Sequence, residues 1–151
     1  MDSQGMVHAL EEIHRLLKPQ GNLVDIHPLP EAPIVEVHDK GRRLLSEAYP
    51  TQGSEPYRQA DQAIDFIAQR GLFVVERRGV FDFFTHAPSA SDLEAYLAVA
   101  NAFDPGSPDK EVQARRADLV TRIDKIVAAA GPSSEVVLLE RGQIARLHPI
   151  V

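Results

Sequence analysis

Apolar residues recur at helical spacing in four stretches of the chain, with short apolar runs and alternating segments between them. Val7, Leu10, Ile13 and Leu17 share one stripe, which predicts an amphipathic helix opened by Asp2 or Ser3. Lys18-Pro19-Gln20-Gly21 stops it, because proline disfavours the α region at the residue before it and Gly21 is expected to take a left-handed turn position. A short strand over 22–27 follows, ended by Pro28 and Pro30. Residues 34–49 predict a hairpin around Asp39-Lys40-Gly41-Arg42. Tyr57, Ala60, Ile64 and Ile67 mark a second helix, with Ser54 as its cap and Gly71 just beyond it. Residues 72–84 read either as a second hairpin turning at Arg78-Gly79 or as one long bulged strand. Ser91-Asp92-Leu93-Glu94 has the form of a capping box for a third helix carrying Leu93, Tyr96, Leu97 and Ala100. After the breaker Asp104-Pro105-Gly106-Ser107-Pro108, the stripe Val112, Leu119, Ile123, Ile126 and Ala130 predicts a long helix over about 109–130, interrupted by Arg116 and ended by Gly131-Pro132. Two apolar runs either side of Arg141-Gly142 predict a closing antiparallel hairpin.

Composition narrows the class without naming a chemistry. The 151 residues fit one domain, 1–151. Cysteine is absent, which excludes disulfides, thiol catalysis and cysteine-held metal centres. The net charge of −6 and the lack of a basic block argue against a nucleic-acid partner. No apolar run approaches a membrane span and no basic-then-apolar leader opens the chain, so a cytoplasmic protein with no membrane partner is expected.

Residues 9–28, Ala-Leu-Glu-Glu-Ile-His-Arg-Leu-Leu-Lys-Pro-Gln-Gly-Asn-Leu-Val-Asp-Ile-His-Pro, closely resemble class I S-adenosylmethionine-dependent methyltransferases. In that family a helix ending in E-x-x-R-x-L-K-P-G-G leads into the fifth strand; Gln20 stands here for the first glycine. The resemblance implies an α/β fold of truncated, Rossmann-like methyltransferase type, with a mixed, mostly antiparallel sheet backed by helices. Residues 1–30 then correspond to the region after strand four, 31–104 to an inserted, cap-like region, and 105–151 to the last helix and the sixth and seventh strands. The family's cofactor site uses a glycine-rich turn and two acidic strand ends upstream of the matched segment, following the logic by which dinucleotide folds admit close backbone approach and bind a ribose diol. This sequence contains none of them, so no cofactor-binding residue carries over and no catalytic residue is identified. The resemblance implies a methyltransferase-like fragment or degenerate member, non-catalytic alone, that acts as an interaction subunit or completes an enzyme with a partner chain. S-adenosylmethionine is expected only if that partner supplies the missing half. Two other readings remain: an independent small α+β protein that binds an apolar ligand, and the C-terminal part of a complete enzyme with a misplaced start.

Six histidines raise the question of a metal. Asp25 and His27 share a strand face, as do Asp82 and His86 if their strand continues; the pairs read as metal ligands, as local hydrogen-bonding pairs, or as the remnant of a substrate pocket at strand ends. No H-E-x-x-H-type spacing supports a metal, and none is expected. Any retained pocket is expected to use Asp25, His27, Phe83 and His86. The aromatic set Phe73, Phe81, Phe83 and Phe84, with Tyr96 and Phe103, reads as pocket lining or, preferentially, as core. Arg77-Arg78 and Arg115-Arg116 read as solvated charges. In the family fold, strand five lies between strand four and the antiparallel seventh strand. Without strand four its edge is open, which predicts a homodimer or a partner chain at residues 7–27.

Overall fold

The computed structural model describes residues 3–53, 55–100 and 109–150. The expected caps Asp2 and Ser54, together with Phe103 and the breaker at 104–108, lie outside them. The elements are α1 (Ser3–Leu16), β1 (Leu23–Pro28), β2 (Ile34–Asp39), β3 (Arg42–Ala48), α2 (Glu55–Gln69), β4 (Phe73–Ala87), α3 (Ala90–Ala100), α4 (Lys110–Ala130) and β5 (Ser134–Pro149). The class is mixed α/β, four helices with an antiparallel sheet: β5 pairs antiparallel with both β1 and β2, β2 pairs with β3, and β4 also pairs with β5. Two compact units result, one from residues 1–31, 53–82 and 141–151, the other from 32–52 and 83–140.

In the first unit, α1 presents Val7, Leu10, Ile13 and Leu17 to a core of Ile64, Ile67, Phe73, Ala145 and Leu147. These are the stripes that the helical spacing picked out on α1 and α2. Strand β1 runs beside β5 from Leu23↔Leu147 to Pro28↔Gly142. Strand alternation turns Leu23, Asp25 and His27 toward the helices, and leaves Val24 and Ile26 54% and 62% exposed. Beyond β1, on the edge away from β5, no strand pairs among the described residues.

In the second unit, Lys40 (φ 48°) and Gly41 (φ 77°) form the tight turn of the β2–β3 hairpin, the conformation whose twist matches the flanking strands. Val35 and Val37 of that hairpin join Tyr49, Ala87, Leu93, Leu119, Ile123, Val136 and Leu138 in one buried cluster. Helix α4 starts where the Asp109 carboxylate accepts from the Val112 N–H at 2.8 Å, and ends at Gly131 (φ 93°), whose N–H reaches the Val127 carbonyl.

Four expectations are corrected. The closing hairpin does not form: residues 134–149 are one strand, whose halves find separate partners in β2 and β1 and bury Val136 and Leu138 in one core, Ala145 and Leu147 in the other. Gly21 is not left-handed; a Cβ there would meet Leu17 Cγ at 2.9 Å and the Lys18 carbonyl at 3.0 Å, so close packing under α1 is what requires glycine. The capping residue of α3 is Ser89, whose hydroxyl accepts from the Asp92 N–H at 3.1 Å and donates to the Asp92 carboxylate at 2.6 Å, two residues upstream of the expected box. Finally, residues 73–87 take the second of their two readings, one strand, but of the expected aromatic core only Phe73 is buried, whereas Phe81, Phe83, Phe84 and Tyr96 are exposed. The two buried residues of this strand are its ends, Phe73 and Ala87.

Candidate functional site

A partly buried polar cluster lies in the first unit, where β1, α2 and β5 meet. Period-two alternation sends Asp25 and His27 to the helix-facing side of β1, and His27 is buried, with 8% of its surface exposed. Its Nδ1 donates to Asp25 Oδ2 at 2.6 Å. Its Nε2 faces Asp61 Oδ1 from 3.5 Å, too far for an N–H···O hydrogen bond, and has no hydrogen-bond partner although it is buried. Gln143, opposite His27 in the strand register and also buried, donates its amide N–H to Asp61 Oδ1 at 2.5 Å.

Asp25 and His27 are therefore brought together as the shared strand face requires. Phe83 and His86 belong to the second unit, where Phe83 is exposed and His86 Nδ1 meets Glu135 Oε2 at 3.0 Å. Asp82 is engaged by Arg141 at 3.5 Å. Sequence reading missed Asp61 and Gln143. Asp61 left a signal: it stands at i+4 from Tyr57 and i−3 from Ile64, a carboxylate interrupting the apolar face of α2. Gln143 left none, because it was read as the first residue after a turn that does not exist.

The second unit holds a different polar arrangement. Tyr49 is buried, donates to Glu94 Oε1 at 2.5 Å, and lies under the Arg116 guanidinium, 5.0 Å from its ring centre. Arg116 also donates to the Pro50 carbonyl at 2.8 Å, so it is a packed residue and not the solvated charge expected of it. Arg78, by contrast, is an exposed charge, as expected, and pairs at the surface with Asp65 at 2.8 Å. Burial, and then the Glu94 carboxylate, push the Tyr49 phenol above its ordinary range. A cleft of about 660 Å³ beside Tyr49 is lined by Glu47, Arg115, Asp118 and Arg122, with Arg122 bridging Glu47 and Asp118. The hydrogen bonds from Arg122 hold Glu47 below the usual carboxylate range. A smaller groove of about 360 Å³ runs between α1 and α2 over Val7, Ala63 and Phe66.

No group of three or more histidine, aspartate or glutamate side chains among the described residues is arranged to enclose a metal ion. No described helix is long and apolar enough to cross a membrane. Compared with protein-family models, with curated proteins and with solved structures, the chain matches none.

Proposed function

We propose that this chain is the portion after strand four of a truncated, Rossmann-like methyltransferase fold, non-catalytic alone, and that it works as an interaction subunit through the edge of β1. The observation that carries the reading is the surroundings of β1. It follows α1 through the tight Lys18–Gly21 turn, runs antiparallel to the last strand of the chain, and has an unpaired outer edge flanked by exposed Val24 and Ile26. Such an edge is a ready template for another strand. A second copy of the chain satisfies it symmetrically; a partner chain that carries a glycine-rich cofactor half satisfies it as strand four and is the source of any S-adenosylmethionine binding. The protein alone is expected to act in the cytoplasm, with neither nucleic acid nor membrane as partner.

Light scattering and calorimetry test this together. The expected results are a dimer that Val24→Lys reduces to a single-chain mass, and no heat on titration of the isolated protein with S-adenosylmethionine. A wild-type monomer that also ignores every chain with a glycine-rich half overturns the assembly reading; a micromolar one-site constant for the isolated chain overturns its non-catalytic character. A second reading, a small α+β protein that binds an apolar ligand, is favoured by the α1–α2 groove. Saturable binding of a medium-chain fatty acid, lost in Ala63→Lys, would establish it.

A further inference from the structure

Strand β4 has a free edge whose charge pattern is complementary to itself. In the first unit β5 lies between two strands. Its residues 142–147 pair with β1, and residues 141–146 meet β4 on the other side, where Arg146 binds Glu76 at 2.9 Å, Arg141 reaches Asp82 at 3.5 Å and the ring of Phe81 covers Gly142. Among the described residues β4 pairs with β5 alone, so its far edge presents unpaired backbone donors and acceptors. Arg78, Val80, Phe81 and Asp82 are all exposed there, Val80 by half. The order Arg78-Gly79-Val80-Phe81-Asp82 sets a cation two residues before a central valine and an anion two residues after it.

We propose that a second copy of this chain docks on the free edge of β4, antiparallel and about a two-fold axis at Val80. In that register Arg78 of each copy stands opposite Asp82 of the other, Gly79 stands opposite Phe81, and the two Val80 residues face each other. Opposite charges, and an aromatic beside an edge glycine, are favourable cross-strand pairs. The neighbouring registers lose them: an axis at Gly79 sets Glu76 against Asp82 and Arg78 against Val80, and an axis at Phe81 sets Asp82 against Val80 and Arg78 against Phe84. Within its own chain Arg78 is held by Asp65, and Asp82 by Arg141. Pairing therefore builds a row of alternating sign, Asp65 and Arg78 from one copy, then Asp82 and Arg141 from the other, and the two-fold axis builds it twice. Exposed ion pairs contribute little each, so the contact is weak and fills only at protein concentrations well above those that hold the β1 contact. It uses the edge of the sheet opposite β1 and does not rest on the methyltransferase reading.

Sedimentation equilibrium tests it in the Val24→Lys background, where the β1 contact is removed. The expected mass rises from one chain toward two as the concentration is raised. Arg78→Asp and Asp82→Arg, each added to that background, put like charges opposite each other and hold the mass at one chain. An equimolar mixture of these two variants restores the two-chain species, because one copy then offers two aspartates and the other two arginines. Residues 78 and 82 are about 13 Å apart along one strand, so this rescue arises only between chains. A Val24→Lys protein that stays at one chain over the whole series overturns the proposal, as do charge variants that associate like their parent, or a mixture of folded variants that does not associate. Circular dichroism checks each fold. If a charge reversal unfolds the chain, hydrogen exchange in the Val24→Lys protein decides: the amides of residues 78–82 that β5 leaves free gain protection with concentration when copies pair there, and exchange independent of concentration overturns the proposal. Wild type that behaves like Val24→Lys throughout fails the β1 reading and leaves this one standing.

Discussion

The ring of Phe81 stands directly over Gly142, so that a Cβ on Gly142 would lie 2.6 Å from the ring's Cζ. Gly142→Ala therefore forces the ring to move. Overpacking costs about 1–3 kcal/mol; because Phe81 is 38% exposed and can swing outward, a loss near 1 kcal/mol in denaturant unfolding is expected. In a Phe81→Leu background the same Gly142→Ala change should cost almost nothing, since the coupled partner is gone. Equal losses in both backgrounds would show that the ring is not what requires glycine.

That contact also explains where sequence reading failed. A glycine after arginine between two apolar runs has the form of a turn, and at Lys40-Gly41 the same signal is a turn, with both residues at positive φ. At Gly142 the cause is a ring arriving from residue 81, a long-range fact that no local pattern carries. What was legible had local causes: the stripes of α1, α2 and α4, the β2–β3 hairpin, the stop at Gly131. The site was half legible for the same reason. Period two joins Asp25 to His27 on one strand, whereas bringing Asp61 and Gln143 to them requires the packing of α2 on β1 and the true register of β5.

Tyr49→Phe removes the donor to Glu94 and leaves the ring beneath Arg116 intact. A hydrogen bond to a charged acceptor contributes about 1.5–3 kcal/mol. Glu94 keeps some contact with water, so the lower end applies, and a fall of about 3–6 °C in Tm follows for a chain of this length. The raised phenol pKa gives this residue a sign in alkali: the folded state holds the proton more tightly, so the contribution is complete below the ordinary tyrosine range and declines as pH rises through and beyond it. Wild type and Tyr49→Phe should give the same tyrosinate absorbance curve until the fold is lost. A difference before that point would mean that the buried phenol ionises in the native state.

Arg122→Met tests the acid limb. Glu47 is held below its ordinary value by the Arg122 hydrogen bonds, so the folded state binds its proton less tightly than the unfolded chain. The stabilisation is present above the ordinary carboxylate pKa and is lost as pH falls through the lowered one. Both side chains are more than a third exposed, so the effect is small and weakened by salt. Wild type should exceed the variant in Tm at neutral pH and converge with it in acid. A gap that persists unchanged through the acid range would assign Arg122 a packing role instead.

Glu140 carries the opposite sign. It lies half-buried on β5, and loss of hydration raises its carboxyl above the ordinary value of 4.5. The folded protein therefore binds this proton more tightly than the unfolded chain does. Wild-type stability is undiminished by Glu140 below that ordinary value, declines as pH rises through the interval up to the raised one, and stays lower beyond it. Glu140→Gln keeps the shape and removes the charge. The variant's Tm should match wild type below about pH 4, where both side chains are neutral, rise above it through the weakly acidic range, and hold a constant advantage at neutral pH. The carboxylate is costly because it is dehydrated, so the advantage should also resist added salt, which screens exposed charges but does not rehydrate a buried one. A neutral-pH variant less stable than wild type would instead mean that the Glu140 carboxylate makes a favourable ionic contact in solution.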